Sequence, residues 1–292
     1  MDKNDKKECS VAIQISSADA ICGAAITGVD LSKPLTEDQR RTCVEALHKY
    51  RVIAFPDQSL NDDQLQAASL QFGPFGDDPF IAPIPGYPHI IAVQRKADEQ
   101  APIFAEAWHT DWSFQATPPA ATCLFGITVP PVGGDTWYAD QVAAAAALPA
   151  ALRSAIEGRK AIHSAKLPYA PQGVYGDADR AGDRSMDIRA DASAEATQLH
   201  PLLSPHPVTG EERIFGCVGY IIGIDGMPDD EALQVLLELH NHQTQTQFVY
   251  AHRWQANMLV MWDNRAVLHR ATGGYEGHDR LLHRTTVQSI EG

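Results

Sequence analysis

Apolar residues recur along this chain in short runs and alternations, with few long helical stripes. Val11, Ile13 and Ile15, then Ala25 and Val29, alternate with other residues and predict two short strands joined by a turn. Thr36 with Gln39 three residues on has the form of a capping box, and Val44 and Leu47 share one helical face after it. Asn61 with Gln64 repeats that signal, followed by Leu65, Ala68 and Phe72 as the apolar stripe of a second helix. Between the two, Val52–Phe55 is a continuous apolar run stopped by Pro56, the pattern of a buried strand. Past Gly73 the chain is rich in Pro and Gly as far as Pro88 and reads as loop, and His89–Val93 reads as a strand.

The remainder is strand-rich. Thr122–Val129, Thr136–Ala139, Arg213–Val218, Met258–Trp262 and Leu281–Gln288 are apolar or alternating runs, most bounded by Gly, Pro or Asp. Two helices interrupt them: the alanine-rich stretch Gln141–Ile156, and Pro228–His242, whose proline sits near the first helical position. Residues 164–197 are rich in Ala, Asp, Gly and Arg with few large apolar groups, so they read as a surface excursion that adds little core and serves as a lid. Dispersed strands with long connections, in place of an alternating strand–helix rhythm, indicate an antiparallel barrel or sandwich decorated by helices.

The 292 residues suffice for a large core and are expected to form one domain, 1–292. Charge narrows the partners: 23 Lys+Arg against 37 Asp+Glu give a formal net charge of −14, which argues against nonspecific nucleic-acid binding. It leaves room for an anionic small molecule, since a few buried arginines can reverse the local field. Cys9, Cys22, Cys43, Cys123 and Cys217 are scattered without a C-x-x-C pair, as reduced core thiols would be. The charged start, residues 1–9, has no apolar signal core and reads as a frayed terminus. No run reaches the roughly 18 apolar residues of a membrane helix, and a cytoplasmic protein is expected.

The sharpest chemical signal is Trp108-His109-Thr110-Asp111. In extended chain, residues i and i+2 share a face, so His109 and Asp111 can offer an imidazole and a carboxylate to one metal ion. His269 is the candidate third ligand. Two His and one carboxylate leave three octahedral positions open, as in non-haem iron(II) oxygenases, although zinc or manganese suits the same donors. Arg280 and Arg284 lie four residues apart; on a strand they face one side, about 13 Å apart. Two inward guanidinium groups call for anionic partners, such as a ligand's carboxylates. Other histidines read as structural: His240 and His242 at a surface helix end, His200 and His206 in a Pro-containing loop, His283 facing away from the two arginines. No P-loop, G-x-G-x-x-G or G-x-S-x-G occurs.

Three motifs in order, W-H-T-D (108–111), P-P-V-G-G-D-T-W (130–137) and W-D-N-R (262–265) with His269-Arg270-Ala271, Arg280 and His283-Arg284-Thr285-Thr286, closely resemble the taurine dioxygenase (TauD/TfdA) family of Fe(II)- and 2-oxoglutarate-dependent dioxygenases. The similarity runs from Thr27-Gly28-Val29-Asp30-Leu31 to Val287. It implies a mainly β protein with a double-stranded β-helix (jelly-roll) core, flanking helices and a lid. It implies His109, Asp111 and His269 as iron ligands, Thr136 and Arg280 on the distal carboxylate of 2-oxoglutarate, and Arg284 on the substrate's acid group or on the co-substrate. Fe(II), 2-oxoglutarate and O2 are the implied cofactors. The implied reaction hydroxylates a small anionic organic substrate (an aryloxyalkanoate, alkyl sulfate or sulfonate), with 2-oxoglutarate going to succinate and CO2. Relatives of this type imply a homodimer or homotetramer.

The substrate contacts depart from taurine enzymes: Ala105 stands where they carry asparagine, and Gly76–Ala82 lacks histidine. Gly86-Tyr87-Pro88, His163-Ser164-Ala165 and His200-Pro201-Leu202 are closer to aryloxypropionate-type members. Tyr220, Phe80 and Trp112 are candidates for an apolar substrate wall. Three other readings stay open: taurine dioxygenase proper, a zinc-dependent hydrolase on the same triad, and a noncatalytic binding jelly roll.

Overall fold

A computed structural model describes residues 12–290; Val11 of the first predicted strand, Cys9 and the charged start lie outside them. The chain runs β1 (Gln14–Ser17), β2 (Ala24–Thr27), α1 (Glu37–Tyr50), β3 (Val52–Phe55), α2 (Asp62–Leu70), β4 (Ile91–Arg95), β5 (Ala121–Thr128) and β6 (Thr136–Asp140). Then come α3 (Gln141–Ala146), α4 (Ala150–Ile156), β7 (Lys160–Ser164), α5 (Lys166–Tyr169), α6 (Asp177–Arg180), β8 (Thr197–Pro201) and β9 (Leu203–Pro205). The last part holds β10 (Glu212–Ile214), β11 (Ile221–Ile224), α7 (Asp229–Gln243), β12 (Val249–His252), β13 (Leu259–Asp263), β14 (Val267–Ala271) and β15 (Arg280–Val287).

Seven strands form the main sheet in the order β1-β2-β3-β13-β5-β15-β4, antiparallel except where β2 meets β3. Three more, β12-β6-β14, form a second sheet, β11-β7-β8 a third, and β10-β9 a two-stranded ribbon. Period-two alternation sets the layers. On β3 and β13, Ile53, Phe55, Leu259 and Met261 face a core shared with Cys43, Val44 and Leu47 of α1 and Leu65 and Ala68 of α2. The alternate residues Val52, Ala54, Val260 and Trp262 face the opposite side, where they meet Tyr138 of β6 and Val267 of β14. The main sheet therefore has helices on one face and the second sheet on the other, which explains why Val52–Phe55 is apolar throughout. Both predicted capping boxes form: Thr36 and Asn61 each accept the backbone N–H three residues on, and Gln39 and Gln64 reciprocate.

Four expectations need correction. The alanine-rich stretch is two helices, because Pro149 cannot continue α3 and instead caps α4. The predicted strand Arg213–Val218 pairs only over Glu212–Ile214. It ends before Gly216, whose φ of 84° and close approach to His163 suit no larger residue. Residues 164–197 do contribute core. Tyr169, Met186 and Ile188 are buried with Phe80, Trp112 and Tyr220, the apolar surface coming from isolated residues that composition averaged away. His242 is also buried, its Nε2 donating to the Ala144 carbonyl at 2.7 Å.

Asp263, at the end of β13, knots the turn into β14. Its carboxylate accepts from His206 Nε2 at 3.0 Å and from Arg265 Nε and Nη2 at 2.8 and 2.7 Å. Burial alone would raise this carboxyl, but the bonds from Arg265 and His206 outweigh it and hold it well below its usual range. A depressed carboxyl stabilises the fold above its unfolded-state value of about 3.9, and that stabilisation fades as pH falls further. Asp263→Asn should therefore cost about 3–5 kcal/mol at pH 7. In urea titrations from pH 7 to pH 2 the gap to wild type should shrink below about pH 4, and a gap independent of pH would reject the carboxylate's role.

Candidate active site

Two separated segments meet through a narrow backbone pairing. His109 lies in an isolated bridge to His269 of β14, its N–H donating to the His269 carbonyl at 3.0 Å and the reverse bond measuring 2.7 Å. Thr110 fixes the register by donating to the Asn264 carbonyl at 2.6 Å. Directly after Asp111 the chain turns, with Trp112 at a φ of 52°. His109, Asp111 and His269 thereby present one ligand atom each within 4.8 Å of one another.

Two of the three donors are held by hydrogen bonds, whereas His269 Nδ1 is buried without a partner. His109 Nδ1 donates to the Ala107 carbonyl at 2.9 Å, which leaves the Nε2 lone pair facing Asp111 Oδ1 at 3.7 Å. His269 Nε2 stands 3.8 Å from the same oxygen. Asp111 Oδ2 accepts from Thr122 at 2.6 Å, and Thr122 in turn accepts from Asn264 Nδ2 at 2.9 Å, freeing Oδ1 for the interior. Burial lowers both imidazoles, His269 to about 3, so both are neutral at pH 7. Burial would raise Asp111, but the Arg284 charge and the Thr122 bond keep it below its usual range, and it stays ionised. Two neutral imidazoles and one carboxylate are the protonation states a divalent cation requires.

Around the triad, a narrow cavity of ≈ 40 Å³ is lined by Thr136, Arg280 and Arg284 together with His109 and His269. Thr136 enters from β6 behind the Gly133-Gly134 turn. A Cβ on Gly133 would lie 2.4 Å from the Gly274 carbonyl oxygen, and its φ is 66°, so the turn needs glycine. The Thr136 hydroxyl accepts from Trp254 Nε1 at 3.0 Å and keeps its own hydrogen to donate. Arg280 and Arg284 both point inward from β15 with Leu282 between them, all three buried, as the four-residue spacing predicts. They differ in company. Arg280 donates to the Gly134 carbonyl at 3.2 Å and lies over Tyr275, and no carboxylate among the described residues forms an ion pair with it. Arg284 donates to Asp78 at 2.5 Å and lies 3.5 Å from Asp111; burial would lower it, but these two carboxylates raise it above its usual value.

A second cavity, ≈ 60 Å³, adjoins His109 and is walled by Phe104, Pro168, Tyr169, Tyr175 and Tyr220. Of the three predicted wall residues, Tyr220 lines this cavity and Phe80 lines an open groove of ≈ 660 Å³. Trp112 lines neither, packing beneath Arg284 with its ring 5.0 Å from the guanidinium carbon. Ala105, at a φ of 60°, is held by its N–H donating to the Tyr175 hydroxyl at 3.0 Å. Sequence reasoning missed Asp78, Phe104, Tyr169 and Tyr175. The last two hide in the polar stretch after β7, and Asp78 follows a second acid, Asp77, in the Pro/Gly-rich loop.

A family model described as taurine catabolism dioxygenase TauD, TfdA family, matches residues 14–286. The chain is 33% identical over 281 residues to the alpha-ketoglutarate-dependent 2,4-dichlorophenoxyacetate dioxygenase of Cupriavidus pinatubonensis, covering 90% of this chain and 93% of that protein. It is 30% identical over 268 residues to the alpha-ketoglutarate-dependent sulfate ester dioxygenase of Pseudomonas putida, covering 91% and 86%. The crystal structure of a taurine dioxygenase from Burkholderia xenovorans superposes with a TM-score of 0.78 at 29% identity, over 95% of this chain and 91% of that one.

A divalent cation bound by the triad stabilises only the folded chain. Mn(II) added anaerobically at a hundredfold excess over its Kd should stabilise the wild type by about 2.7 kcal/mol. His269→Ala should lose that increment in a thermal melt, and an increment that persisted would place the metal elsewhere.

Proposed function

The chain belongs to the taurine catabolism dioxygenase family of TauD and TfdA, and from that premise we propose that it hydroxylates a small anionic organic molecule using Fe(II) held by His109, Asp111 and His269. It is an alpha-ketoglutarate-dependent dioxygenase. The observation that carries the finer reading is a buried arginine without a carboxylate partner, Arg280, in the same cavity as the three ligands. A desolvated guanidinium left open in this way is a receptor for an acid the protein does not itself provide. Thr136 lies in the same cavity with a free hydroxyl hydrogen, so the pair suits the distal carboxylate of 2-oxoglutarate.

Bound Fe(II) chelated by 2-oxoglutarate supplies the oxidising chemistry toward a substrate C–H bond, with O2 consumed and succinate and CO2 released. The protein's part is positioning. The Ala107 carbonyl holds the His109 tautomer, Thr122 turns Asp111 Oδ1 inward, and Arg280 fixes the co-substrate's far end. Phe104, Tyr169, Tyr175 and Tyr220 form an aromatic wall beside His109 that would seat the substrate's apolar part and exclude water. The stretch 164–197, which provides Tyr169 and Tyr175, is then the lid over the mouth of a jelly roll built from the main and second sheets of one domain.

Relatives are named for 2,4-dichlorophenoxyacetate and for sulfate esters, so aryloxyalkanoates and alkyl sulfates head the substrate panel. Ala105, bonded through its backbone to Tyr175, offers no side-chain amide and weighs against taurine itself. A zinc hydrolase would leave Arg280 without a task.

Anaerobic Fe(II) should give a visible charge-transfer band on addition of 2-oxoglutarate, and the panel with O2 should then stimulate succinate formation. The absence of a band from iron-loaded protein would sink the co-substrate assignment. His109→Ala and Asp111→Ala should abolish turnover while remaining folded. Arg280→Ala should raise the KM for 2-oxoglutarate by roughly 10- to 150-fold, the worth of a charged hydrogen bond; an unchanged KM would reject its role.

A further inference from the structure

The two inward arginines are unlike each other. Arg280 faces the cavity with an open fork, whereas Arg284 is already engaged by the protein. Its Nη2 donates to Asp78 Oδ1 at 2.5 Å, and the same oxygen accepts from Trp112 Nε1 at 2.8 Å. Its Nη1 lies 3.5 Å from Asp111, and its Nε is buried without a partner. The guanidinium is 5% exposed and the Asp78 carboxylate 10%, so solvent does little to screen the pair. A guanidinium that two carboxylates have neutralised exerts little net pull on an incoming acid.

Asp78 belongs to none of the motif residues. It comes from the loop between α2 and β4, two residues before Phe80, whose ring stacks on Tyr169 of the aromatic cavity at 5.0 Å. Away from the triad, Asp78 lines a surface groove of ≈ 410 Å³, so its side chain has space to turn out of the ion pair. An acid reaching Arg284 while Asp78 stayed in place would sit ~6 Å from a like charge. At an effective dielectric constant of ~20 that repulsion weakens binding roughly a hundredfold.

We propose that Asp78 is a specificity-determining residue of the substrate site: its carboxylate occupies Arg284 in place of the substrate's acid, so that an acidic substrate binds by displacing it, and carboxylates are taken in preference to sulfonates of the same skeleton. The inference rests on the proposed function and takes Arg284 to meet the substrate's acid group, one of the two roles that the family resemblance implies for it. Its selectivity follows from basicity. A carboxylate matches Asp78 as an acceptor and uses the guanidinium fork bidentately, whereas a sulfonate spreads its charge over three weakly basic oxygens.

The test uses the full chain loaded anaerobically with Mn(II) and 2-oxoglutarate, titrated calorimetrically with phenoxyacetate and with phenoxymethanesulfonate. Asp78→Asn removes the charge and keeps an acceptor for Trp112 and Arg284; Asp78→Ser serves if the asparagine variant does not fold. The wild type should bind the carboxylate more tightly than the sulfonate. The uncharged variant should bind both at least tenfold more tightly, with the larger gain for the sulfonate, and Asp78→Glu should behave as wild type. Quenching of Trp112 fluorescence on acid binding gives a second readout that does not depend on turnover. Affinity unchanged or weakened in Asp78→Asn would overturn the inference, since Asp78 would then be holding Arg284 for the substrate. So would failure of both proteins to bind either acid. If 2-oxoglutarate itself does not bind the metal-loaded wild type, the proposed function falls and this inference with it. Normal co-substrate binding with unaltered acid affinities condemns only the role of Asp78.

Discussion

Everything at the site depends on keeping three donor groups dry, close and in one protonation pattern before any ion arrives. Desolvation favours neutral imidazoles but opposes an ionised carboxylate. The fold resolves that conflict by placing Thr122 and Arg284 against Asp111, so that burial drives the imidazoles toward neutrality while a hydrogen bond and the guanidinium charge keep the acid ionised. The reciprocal His109–His269 backbone bonds hold the geometry, and they form where the W-H-T-D loop crosses the middle of β14. The second sheet, the knot around Asp263 and the glycine turn before Thr136 all bear on where those two backbones meet.

Electrostatic asymmetry between the arginines extends the same logic. Placing two guanidinium groups on one buried face of β15 is costly unless each finds an anion. One finds carboxylates of the protein, and the other has none in ion-pair range among the described residues. What distinguishes them is the acceptor each meets, a backbone carbonyl for Arg280 and carboxylates for Arg284.

Much of this was readable from the residues in order. The apolar run 52–55, the two capping boxes and the alternation along 281–288 depend on local pattern, and each became the element its pattern specifies. The shared face of His109 and Asp111 and that of Arg280 and Arg284 were also readable, since i, i+2 and i, i+4 spacings on extended chain determine direction without tertiary knowledge; His269, far off in sequence, was only a candidate to join them. What failed has a common cause. Pro149 splits a helix that composition alone runs together, and Gly216 ends a strand because of a contact with His163 far away in sequence. Tyr169, Met186 and Ile188 are too sparse to register as periodic, yet they converge with Phe80, Trp112 and Tyr220. Asp78 carries no motif; its meaning comes wholly from Arg284, 206 residues later.

That separation has a bearing on how the protein is made. β15 is the last strand of the chain, yet it lies inside the main sheet between β5 and β4 and carries both arginines. Pairing over such distances carries the larger loop-closure cost, and without β15 the main sheet has a gap between β5 and β4. Until β15 inserts, Asp78 and Asp111 have no cation opposite them, and the cavity lacks one wall. A chain in which β15 has not paired therefore carries His109, Asp111 and His269 without the two arginines that complete the wall of the cavity.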